Sequence, residues 1–339
     1  MIERSSSGLF VGRLRPASGL AGRSVRGGLG LLVDSRPILL VVLNLALILF
    51  MAITAGARFF STANLASVAL DTAQSGILAV GMMILLIGGA VDLSIGAVLA
   101  LAGVTAAMAM RDLGMPAGPA WFVGLLTGGV CGVINGLIVA RLRINTLITT
   151  LATMGIFRGV SQLLSGTGVT SLGNGFESLG QGVLLQVQYP FWILAALVVL
   201  FTFLTRRSQF FRQFYFIGGN ERAARLSGIA ADRVIFLGFV LMGVLSGLAG
   251  VLTASRLNSA VISAGQGVEL KVITAVVLGG AALTGGAGSI PGSFLGVLFI
   301  SLMQNALIIS KVNVFWQQIV IGVVLIIAVS TDYIARRRT

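Results

Sequence analysis

Gly218-Gly219-Asn220-Glu221-Arg222-Ala223-Ala224-Arg225-Leu226-Ser227-Gly228-Ile229 is a polar, arginine-rich island in a chain that is otherwise mostly apolar. Asn220 is placed to cap a helix. Glu221 then falls in the first turn, where its charge suits the positive end of the helix dipole. Arg225 comes four residues later, a favourable pairing, and Gly228 is a natural helix stop. The stretch predicts a helix of about two turns, with the small residues Ala223 and Ala224 available for close contact. So short a helix is marginal alone and gains stability by docking. A chain that only sat in lipid would not need it; a membrane subunit that receives force from a soluble partner would. The bland alternative is a solvated loop whose arginines serve topology alone.

Outward from the island the composition is that of a membrane protein. The 339 residues are 56% hydrophobic and only 10% charged, against about 25% charged in soluble domains, and the mean hydropathy is +1.02. Glycine is abundant at 46 residues, which suits helices packed closely in lipid. The single Cys131 sits in an apolar segment, so no disulfide framework exists. The absence of histidine excludes a His proton relay or His-ligated metal within the chain. The net charge of +13 is spread over short segments between apolar runs, the signature of topology rather than of nucleic-acid binding.

The expected architecture is all-α, a polytopic membrane protein of about ten transmembrane helices. Residues 1–36 read as a flexible basic tail, 37–335 as the membrane domain and 336–339 as a basic C-terminus. The first apolar run, Pro37 to Gly56, covers ~30 Å as a helix, enough to span a bilayer. It is too long, and its preceding tail too extended, for Thr54-Ala55-Gly56-Ala57 to mark a cleaved signal. Further runs lie near 69–88, 93–110, 119–140, 146–165, 189–205, 234–254, 271–286, 291–310 and 314–333. The second and eighth of the ten are flanked by Gly and polar residues and are candidates for broken or re-entrant helices. With the N-terminus inside, the cytoplasmic segments hold most of the 23 basic residues, including Arg141, Arg143, the Arg206–Arg233 group and Arg336 to Arg338. The positive-inside rule therefore favours an even number of spans with both termini cytoplasmic. Leu85-Leu86-Ile87-Gly88-Gly89-Ala90 and Val277-Leu278-Gly279-Gly280-Ala281-Ala282 are alike, each an apolar helix, a glycine pair and a short cytoplasmic turn. They hint at an internal repeat, common in transporters.

Chemistry is mostly excluded. No phosphate-binding loop occurs around Lys271 or Lys311, no Ser/His/Asp set is available, and nothing resembles a metal site or a catalytic centre. The ionisable residues Asp71, Asp92, Arg158, Glu269 and Lys271 stand near the membrane, mostly at expected span ends. Asp92 could cap the third span or act in gating; Arg158 reads as snorkelling or pairing within the bundle. So few intramembrane charges argue that the energy source lies outside this chain and that the cargo is neutral. Asn135, Asn145, Gln162, Gln304 and Asn305 could line a pathway for a hydroxyl-bearing solute, or could serve as interhelical hydrogen-bond donors.

Three blocks carry a resemblance: Ile77 to Val98, containing Gly88-Gly89-Ala90-Val91-Asp92-Leu93-Ser94-Ile95-Gly96; Ile217 to Ile229; and Ala275 to Ser289, containing Gly285-Gly286-Ala287-Gly288. In this combination the chain, from about 60 to 332, resembles the permease subunits of bacterial ABC importers for monosaccharides of the ribose, xylose, arabinose and galactofuranose type. The resemblance implies a subunit of the cytoplasmic membrane that is not itself an enzyme and has no cofactor of its own. ATP and magnesium would be held by a separate ATPase. It implies a second permease subunit and a periplasmic or lipid-anchored solute-binding protein, with no nucleic acid. It also implies that residues 220–229 form the coupling helix, with Asn220, Glu221, Ala223, Ala224 and Gly228 as its pattern; Arg222 interrupts the more common spacing. Asp92, Ser94, Gly96, Gly285, Gly286 and Gly288 become gating or turn candidates. One residue more than usual precedes Asp92. Other cargoes of related importers stay open: a furanose signalling molecule, a polyol or a branched-chain amino acid. A stand-alone secondary carrier is the alternative of a different class.

Overall fold

The computed structural model describes residues 36–337, apart from 167, 171 and 173. The tail therefore lies almost wholly outside the described residues, as do the last two residues. Thirteen α-helices succeed one another among the described residues. They are α1 (Arg36–Ala55), α2 (Thr62–Ile87), α3 (Ile95–Arg111), α4 (Ala117–Ala140), α5 (Thr146–Ser165), the short α6 (Ser178–Gln181), α7 (Tyr189–Arg207), α8 (Gln209–Gly219), α9 (Glu221–Leu226), α10 (Ala231–Leu257), α11 (Val268–Leu278), α12 (Ile290–Ile309) and α13 (Val314–Arg337). A two-residue antiparallel pair, Val183–Leu184 with Val187–Gln188, precedes α7. The chain is thus an all-α polytopic membrane protein.

Each of the ten expected apolar segments coincides with a helix, but they differ in kind. Seven are long and apolar enough to cross a membrane: α1 with the 3-10 turn at its end, α2, α4, α5, α7, α10 and α12. α3 and the Phe315–Ser330 part of α13 are apolar but shorter. α11 has 11 residues, about 16 Å, roughly half of a ~30 Å hydrocarbon core. The expected break near 69–88 is absent, since α2 runs unbroken for 26 residues. It also begins earlier than the apolar run, because Ser61 caps it by accepting from the Asn64 N–H at 3.3 Å. The break near 271–286 is real: helix stops at Leu278 and residues 279–289 are non-helical.

α2 is the centre of the bundle. From Thr72 to Ile87 its side chains are almost all buried, packed against α7, α10, α11 and α12. α4 meets α10 along a seam with almost no side chains in it. A Cβ on Gly128 would overlap the Gly243 carbonyl oxygen, and one on Gly132 the Phe239 carbonyl oxygen. Gly124, Gly128, Gly132 and Gly136 recur every four residues, so they share one face of α4 and let two backbones touch. The apolar outer faces of α1, α5 and α7 stay exposed, with Leu45, Ile53, Ile148, Leu163, Val199 and Phe203 among them. In a membrane these faces meet lipid.

Candidate functional site: a glycine junction and a polar cavity

Two helix ends are built alike. After α2, the Gly89 N–H donates to the Leu86 carbonyl at 2.9 Å and the Ala90 N–H to the Leu85 carbonyl at 2.9 Å. After α11, the Gly280 N–H donates to Val277 at 3.0 Å and the Ala281 N–H to Val276 at 3.1 Å. Both are Schellman caps, and both need a left-handed residue, supplied by Gly89 at φ +80° and Gly280 at φ +99°. The likeness seen in sequence is therefore a likeness of local structure. Beyond the caps the two segments diverge. Residues 90–94 do not form a surface turn but run into the bundle, where Asp92 and Ser94 are fully buried. Non-helical backbone at that depth needs protein around it. Asp92 accepts from the Ser94 N–H at 2.8 Å and from its hydroxyl at 2.6 Å. Asn135 of α4 donates to the Ser94 hydroxyl at 2.8 Å and to Asp92 at 3.4 Å. Ser94 is the N-cap residue of α3 but makes no side-chain cap bond; Asp92 binds its N–H instead.

The start of the island sits against the α2 cap and against the turn that follows the α11 cap. The Gly286 N–H donates to the Ile87 carbonyl at 2.8 Å, and a Cβ on Gly218 would overlap both groups. Gly285 packs on Gly218 and Gly89, and Gly286 on Gly219. The Tyr215 hydroxyl donates to the Gly288 carbonyl at 3.0 Å. Three backbone segments, 87–89, 215–219 and 284–288, thus meet at one point. Gly285, Gly286 and Gly288 belong to this junction, whereas Gly96 lies elsewhere, on α3 against the Gly265 carbonyl.

α9 has the local build its sequence predicts. The Ala223 N–H donates to Asn220 Oδ1 at 2.9 Å, and the Ile229 N–H to the Ala224 carbonyl at 3.0 Å closes the far end at Gly228, φ +85°. Arg225 donates to Glu221 at 2.7 Å and also to Asp232 of α10. Hydrogen bonding to Asp232, then to Glu221, raises the Arg225 pKa above its ordinary value. Arg143, from the α4–α5 turn, reaches Asp232 at 3.5 Å. One expectation needs correcting. Ala224 is only 4% exposed, because the helix must bury one face on the bundle, so its side chain is not open to a partner. Ala223 is exposed, and Leu226 is 85% exposed.

The opposite end of α2 lines a cavity of about 450 Å³ between the starts of α2, α11 and α13 and the ends of α10 and α12. Asp71, Gln74, Arg256, Lys271, Gln304 and Asn305 face it. Lys271 donates to both carboxylate oxygens of Asp71, at 2.7 and 2.6 Å. The apolar pattern puts Asp71 at a span end; because α2 starts at Thr62, it lies roughly 14 Å inside the helix. Asn305 and Asn64 exchange amide hydrogen bonds at 2.6 and 3.1 Å. The pathway candidates therefore do not converge: Gln304 and Asn305 are at the cavity, Asn135 holds the Asp92 turn, and Gln162 is exposed on α5. Asn145 caps α5. Arg158 is paired within the bundle, donating to the Ile262 and Ala264 carbonyls at 2.6 and 2.9 Å. The Asp71–Lys271 pair is not legible in sequence. Two lone charges flanking apolar runs are its only signal, and nothing local joins residues 200 positions apart.

Comparison with known proteins agrees with this architecture. The chain is 36% identical to the L-arabinose ABC transporter permease protein AraH of Azospirillum brasilense, over 95% of this chain and 94% of that protein. It is 36% identical to the ribose import permease protein RbsC of Haemophilus influenzae, over 85% and 91% of the two chains. It is 38% identical to RbsC of Bacillus subtilis, over 81% and 86%. No solved structure matches. Residues 64–329, from the start of α2 to near the end of α13, match the family described as the permease component of the branched-chain amino acid transport system, and the chain belongs to that family of membrane permeases.

Proposed function

We propose that this chain is the membrane-spanning permease subunit of an ATP-driven importer for a neutral monosaccharide. The observation that carries the reading is the junction where the C-terminal end of α8, which leads directly into α9, packs on the cap of α2 and the 284–288 turn. A push on α9 passes through α8 to both elements. The sugar cargo of AraH and RbsC supports the substrate class. In this reading all ten apolar helices cross the bilayer or enter it, both termini are cytoplasmic, and two permease subunits pair. A separate ATPase, holding ATP and magnesium, docks on the exposed side of α9, and a solute-binding protein delivers the sugar to the other face. ATP-driven closure of the ATPase moves α9 and switches the bundle between outward and inward access.

The test is co-reconstitution with the ATPase and binding protein of the same host, and then uptake of labelled D-ribose, L-arabinose and L-leucine. ATP-dependent sugar uptake is expected. Uptake by the chain alone without ATP would make it a stand-alone carrier, and uptake of leucine only would make it an amino acid permease. Ala223→Trp and Leu226→Asp, both on the open side of α9, are expected to abolish uptake and ATPase co-purification while leaving the purified permease at normal abundance.

A further inference from the structure

The cavity at the start of α11 has the build of a ligand site. Its volume of about 450 Å³ falls within the ~300–1,000 Å³ of small-molecule pockets. It lies at the N-terminal end of a half-length helix, the position where transporters with discontinuous helices commonly hold cargo. Its walls combine a carboxylate, two cations and amides, so donors and acceptors face the same space. Hydroxyl groups both donate and accept. The ion pair is asymmetric: the Lys271 side chain is 8% exposed, that of Asp71 43%. Lys271 is committed to Asp71, and a carboxylate has about four lone-pair sites. The open side of Asp71 therefore keeps acceptor capacity toward the cavity. Intramembrane charges are costly and mark function by default.

We propose that this cavity holds the transported solute in passage, as a neutral polyhydroxyl compound. Adjacent hydroxyls donate to the free side of the Asp71 carboxylate and accept from Gln74 and Gln304. The proposal rests on the importer reading for the word transported; the site itself rests on the cavity. A neutral polyol uses the open lone pairs and leaves the ion pair intact. An amino acid zwitterion would set its ammonium group against a carboxylate that Lys271 already neutralises. A sugar acid would bring its carboxylate between Asp71 and Arg256, the other charge among the lining residues.

The chain's single cysteine makes the test direct. In a Cys131→Ser background, Ser67→Cys and Ile308→Cys report on the cavity, which both residues line. Leu113→Cys, exposed beyond α3, is the control. Alkylation by a membrane-impermeant maleimide is timed in the assembled, nucleotide-free importer with D-ribose, L-arabinose, D-galacturonate or L-leucine. The expected result is a several-fold slowing at both reporters by the neutral sugars only, none at Leu113→Cys, and loss of protection in Asp71→Asn but not in Asp71→Glu. ATP-driven sugar uptake with unprotected cysteines overturns the cavity and leaves the importer reading standing. Reporters that are unreactive in the assembly without sugar mean that a second copy or partner covers the cavity, which also overturns it. Stronger protection by galacturonate or leucine overturns the neutral polyhydroxyl class. Sugar protection without ATP-driven uptake removes the importer reading and keeps the sugar site.

Discussion

A side chain at Gly128 would have to enter the backbone of α10, and no rotamer relieves that. Overpacking of this kind costs about 1–3 kcal/mol, more where backbone must move. Gly128→Leu is therefore expected to lower the melting temperature of the purified protein and its membrane abundance. Gly155 on α5 has nothing near its Cβ position, so Gly155→Ala should instead hold or raise stability, by up to about 1 kcal/mol of saved backbone entropy. The two glycines look the same in sequence; only the facing helix separates them. Asn135 makes the same point for polar residues. It is legible as a hydrogen-bonding residue inside a span, but not as the holder of Asp92 and Ser94, because its partners lie more than forty positions away. Asn135→Ala is expected to destabilise by about 1–3 kcal/mol, the cost of leaving buried polar groups unpaired, read by thermal aggregation in detergent.

At the level of elements, helices governed by local rules are readable. α9 arises from its own dozen residues: an Asn cap, a Glu in the first turn, an Arg four residues on and a Gly stop. Asn220→Ala should remove about 1 kcal/mol from a six-residue helix that can spare little. Sugar uptake is expected to fall while permease abundance stays normal, and Asn220→Ser should restore it. α2 and α11 are less readable. Apolar runs mark where lipid or protein surrounds a helix, not where hydrogen bonding begins. The pattern thus leaves the polar first turns of α2, from Thr62, outside the span, and puts Asp71 at its end. The short length of α11 is signalled by Gly279-Gly280, since a Schellman cap ends a helix wherever its left-handed glycine stands. The identical pair at Gly88-Gly89 ends α2 only after 26 residues. The glycines fix the stops of both helices and say nothing of their starts.

For the whole molecule, sidedness comes from two ends of one bundle. The island and both caps are at one end; the polar cavity and Leu113 are at the other. In the Cys131→Ser background, Leu226→Cys should react with an impermeant maleimide only from the cytoplasmic side of oriented vesicles, and Leu113→Cys only from the opposite side. Labelling of both from one side would refute the proposed topology. The all-α membrane character is legible from composition because lipid imposes it on every span. The junction and the cavity are not, because each is assembled from segments far apart in the chain. One such pairing also has a consequence in time. Lys271 comes 200 residues after Asp71, and ribosomes add roughly 5–20 residues per second. For some 10–40 s at that rate the nascent chain carries the α2 carboxylate without its counter-ion, at a cost of about 2.5–3.5 kcal/mol if it is held at mid-bilayer. The helix at the centre of the finished bundle is therefore among the last to settle: it waits for the final third of the chain to be made.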